Sequence, residues 1–405
     1  MPVTYQGKRL LVIPGGLWQV PIVEMAQAQG IYVICADGTP NPPCKSLANE
    51  FHQVRLQDID ALEALARQKK IDAVITDQTD FTVPIVAQLT HRLGLRGLPP
   101  EVAERATNKA KMRDAVARSK VHQPGYRLCH TLKDIQQAVV ELGLPLFYKP
   151  VDAQSSRGVG ILRSEDSHEL QKALNHAITE SLTGGCLVEQ MLIGTECTVE
   201  GFVIDGEPTT LAMSDKKHYE DLPGVARTLT YPPGLSSSTC QRLAAANEEV
   251  VRALGIPFGI THAEFMVDAE GTPWLVEIAA HGGGSRITSH IVPAVCGFHP
   301  IQALLETLLG GQPRLERDQL LHHAAELRFL RLPPGRVVRF NNLEQLRKRP
   351  GVLELQMNFA EGTIVPSVKD DRSRHGFVVT SAKTRDEAAQ IAENIERDLD
   401  VVVAP

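Results

Sequence analysis

The sequence lacks several signals by which a long chain often declares its work. It has no excess of positive charge: 42 Lys and Arg stand against 48 Asp and Glu, a formal net charge of −6. Proteins that coat nucleic acid draw much of their affinity from a basic surface, so that class is set aside. The first apolar run, Leu10 to Ile13, is only as long as a strand. Neither a secretory signal nor a membrane span is expected from it. The seven cysteines contain no CxxC pair. They read as reduced thiols, and cytoplasmic residence is the expectation. GxSxG, the P-loop order GxxxxGK[ST] and a zinc-ligand spacing of His and Cys are all missing, which argues against the chemistries they serve.

What is present suits a large globular enzyme. The chain has 405 residues, 43% of them hydrophobic, with 31 Gly and 26 Pro. That length corresponds to roughly two or three domains. Apolar strands at Leu10–Ile13, Ile31–Cys35 and Ala73–Thr76 alternate with helical stretches at Val20–Gln29, Ala61–Arg67 and Val83–Arg92. This order predicts βαβ units around a parallel sheet, ending near residue 100. The turn Pro14-Gly15-Gly16-Leu17-Trp18 departs from the spaced three-glycine dinucleotide fingerprint, so a nicotinamide or flavin cofactor is disfavoured. Gly15, Gly16, Asp37 and Asp80 lie at strand ends, where they either face a small substrate or make ordinary turns.

Asn108 to Ser119 reads as a charged helix. In Pro145-Leu146-Phe147-Tyr148-Lys149-Pro150 a lysine is embedded in a strand of apolar and aromatic residues. Burying that ammonium is costly unless it meets an anion. The stretch Gln154-Ser155-Ser156-Arg157-Gly158-Val159-Gly160 follows, with hydroxyls and exposed backbone N–H groups able to fold over phosphate as a hairpin flap. Cys186 to Leu192 reads as a strand, and Asp205-Gly206 signals a two-residue hairpin turn. Lys216-Lys217-His218-Tyr219 reads as a positively charged loop.

The segments His262–Val267 and Trp274–Ile278 flank Asp268–Thr272. As an antiparallel hairpin they place Glu264 opposite Glu277 and Met266 opposite Leu275, with Cβ atoms of a facing pair about 4.5–5.5 Å apart. Two carboxylates that close repel, and a divalent cation relieves the repulsion; Mg2+ is the expected one. A slipped register with one exposed Glu is the alternative. Ala279-Ala280-His281-Gly282-Gly283-Gly284-Ser285-Arg286 comes next. Its glycines allow close approach of a ligand, His281 lines the pocket, and Arg286 can grip a carboxylate or phosphate.

In this order the signals resemble the ATP-grasp superfamily. The likeness is to carboxylate–amine ligases related to biotin carboxylase, carbamoyl phosphate synthetase and the purine-biosynthetic ligases, and above all to the L-amino acid ligase group. It spans nearly the whole chain. It implies a parallel-sheet α/β domain over 1–105, an ATP-grasp region over 106–325 and a small mixed C-terminal domain over 326–405. It further implies that Lys109 and Lys149 contact nucleotide, that Ser155, Ser156, Gly158 and Gly160 cover phosphate, and that Glu189, Gln190, Met191 and Leu192 read adenine. Glu196 is the implied ribose partner, and Glu264 and Glu277 hold Mg2+, for which Mn2+ can substitute. Lys149, Arg286 and His281 are the expected catalytic residues.

This sequence departs from the family pattern after the second acid. Asn and Arg usually stand where Ala279 and His281 occur here. Alanine cannot ligate a metal, so water, substrate or an altered site has to cover the loss, with Arg286 the expected source of positive charge. The implied activity is ATP-dependent, ADP-forming ligation of a small carboxylate to an amine through an acyl phosphate. The implied partners are small molecules and a second copy in a homodimer, with no nucleic acid and no membrane. A carboxylase or kinase on the same scaffold, or a nucleotide-binding protein without turnover, are the alternatives.

Overall fold

The computed structural model describes residues 5–154 and 156–404. The first domain holds β1 (Arg9–Val12), α1 (Val20–Ala28), β2 (Tyr32–Asp37), β3 (Glu50–Gln53), α2 (Ile59–Lys69), β4 (Ala73–Ile75) and α3 (Val83–Leu93). Its sheet is parallel with order β3-β2-β1-β4. The expected alternation is observed, except that β3 was not anticipated. Its sequence, Glu-Phe-His-Gln, carries no apolar run, and it pairs only at the sheet edge. Asp58 caps α2 by accepting from the Ala61 N–H, and Gly94 ends α3 in the left-handed region at φ 65°.

Two helices, α4 (Pro100–Thr107) and α5 (Lys109–Val116), lead into a four-stranded sheet. It contains β5 (Tyr126–Cys129), β6 (Leu146–Pro150), β7 (Gly160–Leu162) and β8 (Cys186–Gln190) in the order β5-β8-β6-β7. Helices α6 (Leu132–Leu142) and α7 (Ser167–Glu180) pack on one face, where Leu146 joins Ile135, Leu170 and Leu174 in a core. Strand alternation turns Phe147 and Lys149 to the opposite face, together with their partners Glu189 and Leu187. The expected hairpin flap therefore exists, joining β6 to antiparallel β7.

The central antiparallel sheet has eight strands in the order β13-β12-β9-β10-β11-β14-β18-β16. They are β9 (Thr195–Ile204), β10 (Glu207–Tyr219), β11 (Leu222–Tyr231), β12 (Gly259–Val267), β13 (Pro273–Ala279), β14 (Ala324–Leu330), β16 (Val352–Met357) and β18 (Gly376–Ala382). Helix α8 (Ser237–Leu254) covers one face through Leu243, Val250, Val251 and Leu254. The Asp205-Gly206 turn has φ 50° and 82°, the left-handed pair that a tight hairpin needs. A smaller sheet of β15 (Gly335–Arg339), β17 (Ile364–Val365) and β19 (Val402–Ala404) completes the C-terminal part, with a terminal helix at Arg385–Asp398. Because β14, β16 and β18 extend the central sheet, the C-terminal residues are continuous with it rather than forming a remote body.

Two local expectations are corrected. Lys216 to Tyr219 belongs to β10, paired with β9 and β11, and is no loop. Met266 pairs with Trp274, not Leu275, because a register shift falls between Glu264 and Phe265. No single helix among the described residues is long and apolar enough to cross a membrane. One pair, Ile287–Cys296 and Pro300–Leu308, passes by combined length and composition, but it bends by 111° and packs Ile291, Val292, Ile301 and Leu305 into the core. All seven cysteines are free, as expected.

Candidate active site

Between the flap sheet and the central sheet lies a cleft of about 550 Å3. Lys109, Lys149, Ser156, Gly160, Glu189, Gln190, Met191, Leu192, Glu196, Glu264 and Glu277 all line it. Gly158 does not; its φ of 67° and its close packing on Pro150 shape the flap turn instead. Ser155 lies outside the described residues. Ser156 Oγ donates to the Gly224 carbonyl at 3.2 Å, which ties the flap to β11.

Charge is paired throughout this cleft. Glu189 Oε1 accepts from Arg113 Nε at 2.7 Å, while its Oε2 lies 2.7 Å from Lys149 Nζ. Burial alone would raise the Glu189 carboxyl, but Arg113 and Lys149 together hold it at about 2. Burial lowers the pKa of Lys149, and the neighbouring Arg113 adds to that effect against the pull of Glu189. Arg113 also donates to the Val276 carbonyl at 2.8 Å, and its side chain is only 1% exposed. Among the described residues its Nη1 has no hydrogen-bond partner. Sequence reasoning missed this residue, although it stands four residues after Lys109 on the same buried face of α5.

The hairpin register places Glu264 directly across from Glu277. Glu277 lies 3.1 Å from Lys109 Nζ, which also donates to the Ala153 carbonyl at the flap root. Glu264 lies 2.7 Å from Lys216 Nζ, and Glu196 lies 2.5 Å from the same nitrogen. Burial opposes the charge on Lys216, but Glu196 and Glu264 outweigh it and raise its pKa. Burial likewise opposes ionisation of Glu264, and Lys216 and His262 overcome it. His262, one turn of the pleat away, pairs with Glu200 at 2.8 Å. Burial pushes its imidazole down, but Glu200 and Glu264 raise it to about 10.

Whether this donor set suits Mg2+ follows from its chemistry. Two hard carboxylates face one another in a cleft wide enough for a nucleotide. Among the described residues no group of three His, Cys, Asp or Glu side chains is arranged to hold a metal alone. Ala279, across from His262, adds no donor. The pair therefore fits a cation that brings ligands of its own, phosphate oxygens and water, as Mg2+ does.

Asp371, from the C-terminal segment, also lines the cleft. Burial raises its carboxyl, and Arg374 beside it at 2.6 Å only partly opposes that shift. Arg374 in turn lies 3.5 Å above the Phe329 ring. No local pattern pointed to Asp371, because it reaches the site only through the β14–β18 pairing.

The other sequence candidates lie elsewhere. Arg286 sits outside the cleft, 3.6 Å from Glu354. Both Ser285 (φ 52°) and Arg286 (φ 69°) are left-handed, a strained pair for residues with side chains. The turn is held by the His290 N–H, which donates to the Arg286 carbonyl at 2.9 Å. His281 binds Asp80 at 2.8 Å and the Gly282 carbonyl at 2.9 Å, so neither ring nitrogen is free for substrate. Asp37, the last residue of β2, braces the adjoining turns with its side chain. One oxygen accepts the Gly15 N–H at 2.8 Å, and the other accepts the backbone and hydroxyl of Thr39. Gly15 has no room for a side chain, since a Cβ there would fall 2.5 Å from Cys35 Sγ.

Comparison with known proteins agrees with this architecture. A family profile for the ATP-grasp domain matches residues 142–289, and one for the L-amino acid ligase C-terminal domain 2 matches residues 328–404. The chain is 27% identical over 371 residues to the uncharacterised protein y4rH of Sinorhizobium fredii, covering 88% of this chain and 74% of that one. It is 28% identical over 298 residues to the alanine–anticapsin ligase of Bacillus subtilis, covering 68% of this chain and 62% of the ligase. The chain thus spans less than two thirds of that ligase's length. The crystal structure of an L-amino acid ligase from Bacillus licheniformis superposes with a TM-score of 0.82 at 24% identity, over 99% of this chain and 100% of that one. The biotin carboxylase domain of Hydrogenobacter thermophilus 2-oxoglutarate carboxylase, solved with MgADP and bicarbonate, gives 0.81 at 14% identity, over 98% and 91%. Residues 142–289 thus form an ATP-grasp domain, and the chain is related to the ATP-dependent carboxylate–amine ligases of that superfamily. Enzymes of that class form a carbon–nitrogen bond through an acyl phosphate and release ADP.

Proposed function

We propose that this protein ligates the carboxylate of a small substrate, an amino acid by preference, to an amine at the cleft between the flap and β12–β13. The observation that carries the reading is the meeting of Glu264 and Glu277 with Lys109, Lys149 and Lys216 in one cleft beneath the flap. Such a set is suited to a polyanion that arrives with a divalent cation. The segment resembling an L-amino acid ligase C-terminal domain supports an amino acid as substrate.

In this reading the strand end from Glu189 to Leu192 holds adenine, and Glu196 takes the ribose hydroxyls. Ser156 and Gly160 form the cover over the phosphates, on the turn that Gly158 shapes. Lys149 and Lys109 leave their carboxylate partners to meet phosphate oxygens, a stronger match for a buried ammonium than one shared Glu. Glu264 and Glu277 would hold Mg2+, which when bound would neutralise charge on the transferring phosphoryl group, with Mn2+ as the proposed substitute. The substrate carboxylate oxygen attacks the γ-phosphorus of ATP, and ADP leaves. The amine nitrogen then attacks the acyl carbon, loses a proton, and phosphate departs. The flap excludes water, which would otherwise hydrolyse the acyl phosphate. Arg286 supplies positive charge to the substrate side only if its loop shifts away from Glu354. A homodimer in the cytoplasm completes the proposal, supported by the dimeric biotin carboxylase domain among similar structures and by the seven free thiols.

Hydroxylamine as the amine tests the chemistry directly. ADP release dependent on an amino acid should be accompanied by amino-acid hydroxamate, detected by its ferric complex and by mass. Bicarbonate-dependent ADP release without hydroxamate would point to a carboxylase instead.

A further inference from the structure

The carboxyl ends of β1 and β4 meet where the strand order of the first sheet reverses, the place where open parallel sheets take ligands. Here a loop of the same chain fills that place. Asp77 Oδ1 accepts the Gly282 N–H at 2.6 Å, and Asp80 Oδ1 lies 2.8 Å from His281 Nε2. The other ring nitrogen, Nδ1, lies 2.9 Å from the Gly282 carbonyl oxygen. Both neighbours are acceptors, and although burial disfavours charge on the ring, Asp80 beside it raises the imidazole's pKa. The pair is well buried, with 10% of the His281 side chain and 19% of Asp80 exposed.

Asp80 makes a second tie. Its backbone N–H donates to Gln154 Oε1 at 2.7 Å. Gln154 stands at the flap root, where its own carbonyl accepts from Arg157 Nε at 3.1 Å. Among the described residues no hydrogen bond joins Gln154 to the His281–Arg286 loop, so the turn at Asp80 is their common support. Asp80 also borders a cavity of about 20 Å3 with Lys109, His262, Glu277 and Ala279. A displacement of this turn is therefore felt beside the acidic pair.

We propose that Asp80 is a positioning residue: it registers the His281–Arg286 loop, which continues from the acid-bearing β13, against the root of the phosphate flap, so that the two walls of the cleft are held in one geometry by the first domain. The effect on turnover rests on the ligase reading given above. The mechanical coupling does not.

Two measurements on the full chain separate these halves. Hydrogen exchange without nucleotide should rise about tenfold over residues 281–286 in Asp80→Asn, the scale of one lost charge-assisted hydrogen bond. Gln154→Ala should raise exchange in that same loop, and Asp80→Asn should raise it in the flap, with the remaining first-domain peptides unchanged. If each substitution affects only its own segment, the coupling is overturned. In turnover, Asp80→Asn should lower kcat for amine-dependent ADP release on the order of 10²-fold, as misplacement of reacting groups does. The KM for ATP should stay within about threefold, and Asp80→Glu should recover part of the loss, since the charge returns in a displaced position. An unchanged kcat overturns the positioning role. A wild-type protein that releases no ADP with any carboxylate–amine pair defeats the ligase reading, and the exchange cross-effects then still decide the coupling.

Discussion

Glu277→Gln is expected to reduce amino-acid-dependent ADP release by about 10²–10³-fold, the scale on which loss of one preorganised electrostatic group acts. The substitution keeps side-chain volume and removes one charge. Its structural cost is small, because Lys109 retains its bond to the Ala153 carbonyl and Glu277 is partly exposed in the cleft. The unfolding midpoint in urea should therefore move little while turnover collapses. Steady-state ADP release and a denaturation curve on the same preparation check both halves. Turnover at the wild-type rate would remove Glu277 from the reaction centre. Raising the Mg2+ concentration should recover part of the loss if the weakened step is cation binding, because Glu264 still faces the same space.

Arg113→Met should produce the largest loss of stability. The guanidinium is buried, bonds Glu189 and the Val276 carbonyl, and shares Glu189 with Lys149. Removing one member of a buried ion group leaves charge without its partner and costs about 3–5 kcal/mol. Adding Glu189→Gln to Arg113→Met should restore part of the loss, since the stranded carboxylate goes too. The pH dependence follows from the lowered pKa of Glu189. Its contribution to stability is fully present above its ordinary value of 4.5 and fades as pH falls toward about 2. In Arg113→Met that carboxyl rises toward its ordinary value, so the acid-side loss should be smaller and end at a higher pH than in wild type. Urea midpoints measured between pH 3 and pH 7 report this shift; parallel curves would mean that Arg113 does not hold the Glu189 charge.

The acidic pair was legible because it depends on short-range rules. Strand periodicity and a five-residue turn region suffice to put Glu264 across from Glu277, and they do so even though a bulge one residue later moves Met266 onto Trp274. Lys149 was legible for a similar reason, since a lysine in an apolar strand needs an anion. Lys216 was read as part of an exposed loop because Lys-Lys-His carries no apolar alternation. The pairing of β10 with both neighbours overrides that local signal. Arg286 illustrates the opposite error. Its residue type suits a phosphate or carboxylate, but the left-handed turn at Ser285–Arg286 points it toward Glu354.

By itself the sequence determined the succession of parallel-sheet domain, flap hairpin and acid-bearing hairpin, since each arises from periodicity and turn chemistry within a few dozen residues. Only the tertiary structure decided which cation faces which carboxylate. Arg113 and Glu189 are 76 residues apart, Lys216 and Glu264 are 48 apart, and His281 and Asp80 are 201 apart. Local propensity carries no information across such separations. Those partners meet because burying the strands in their sheets leaves each charged side chain one low-energy place, beside an opposite charge.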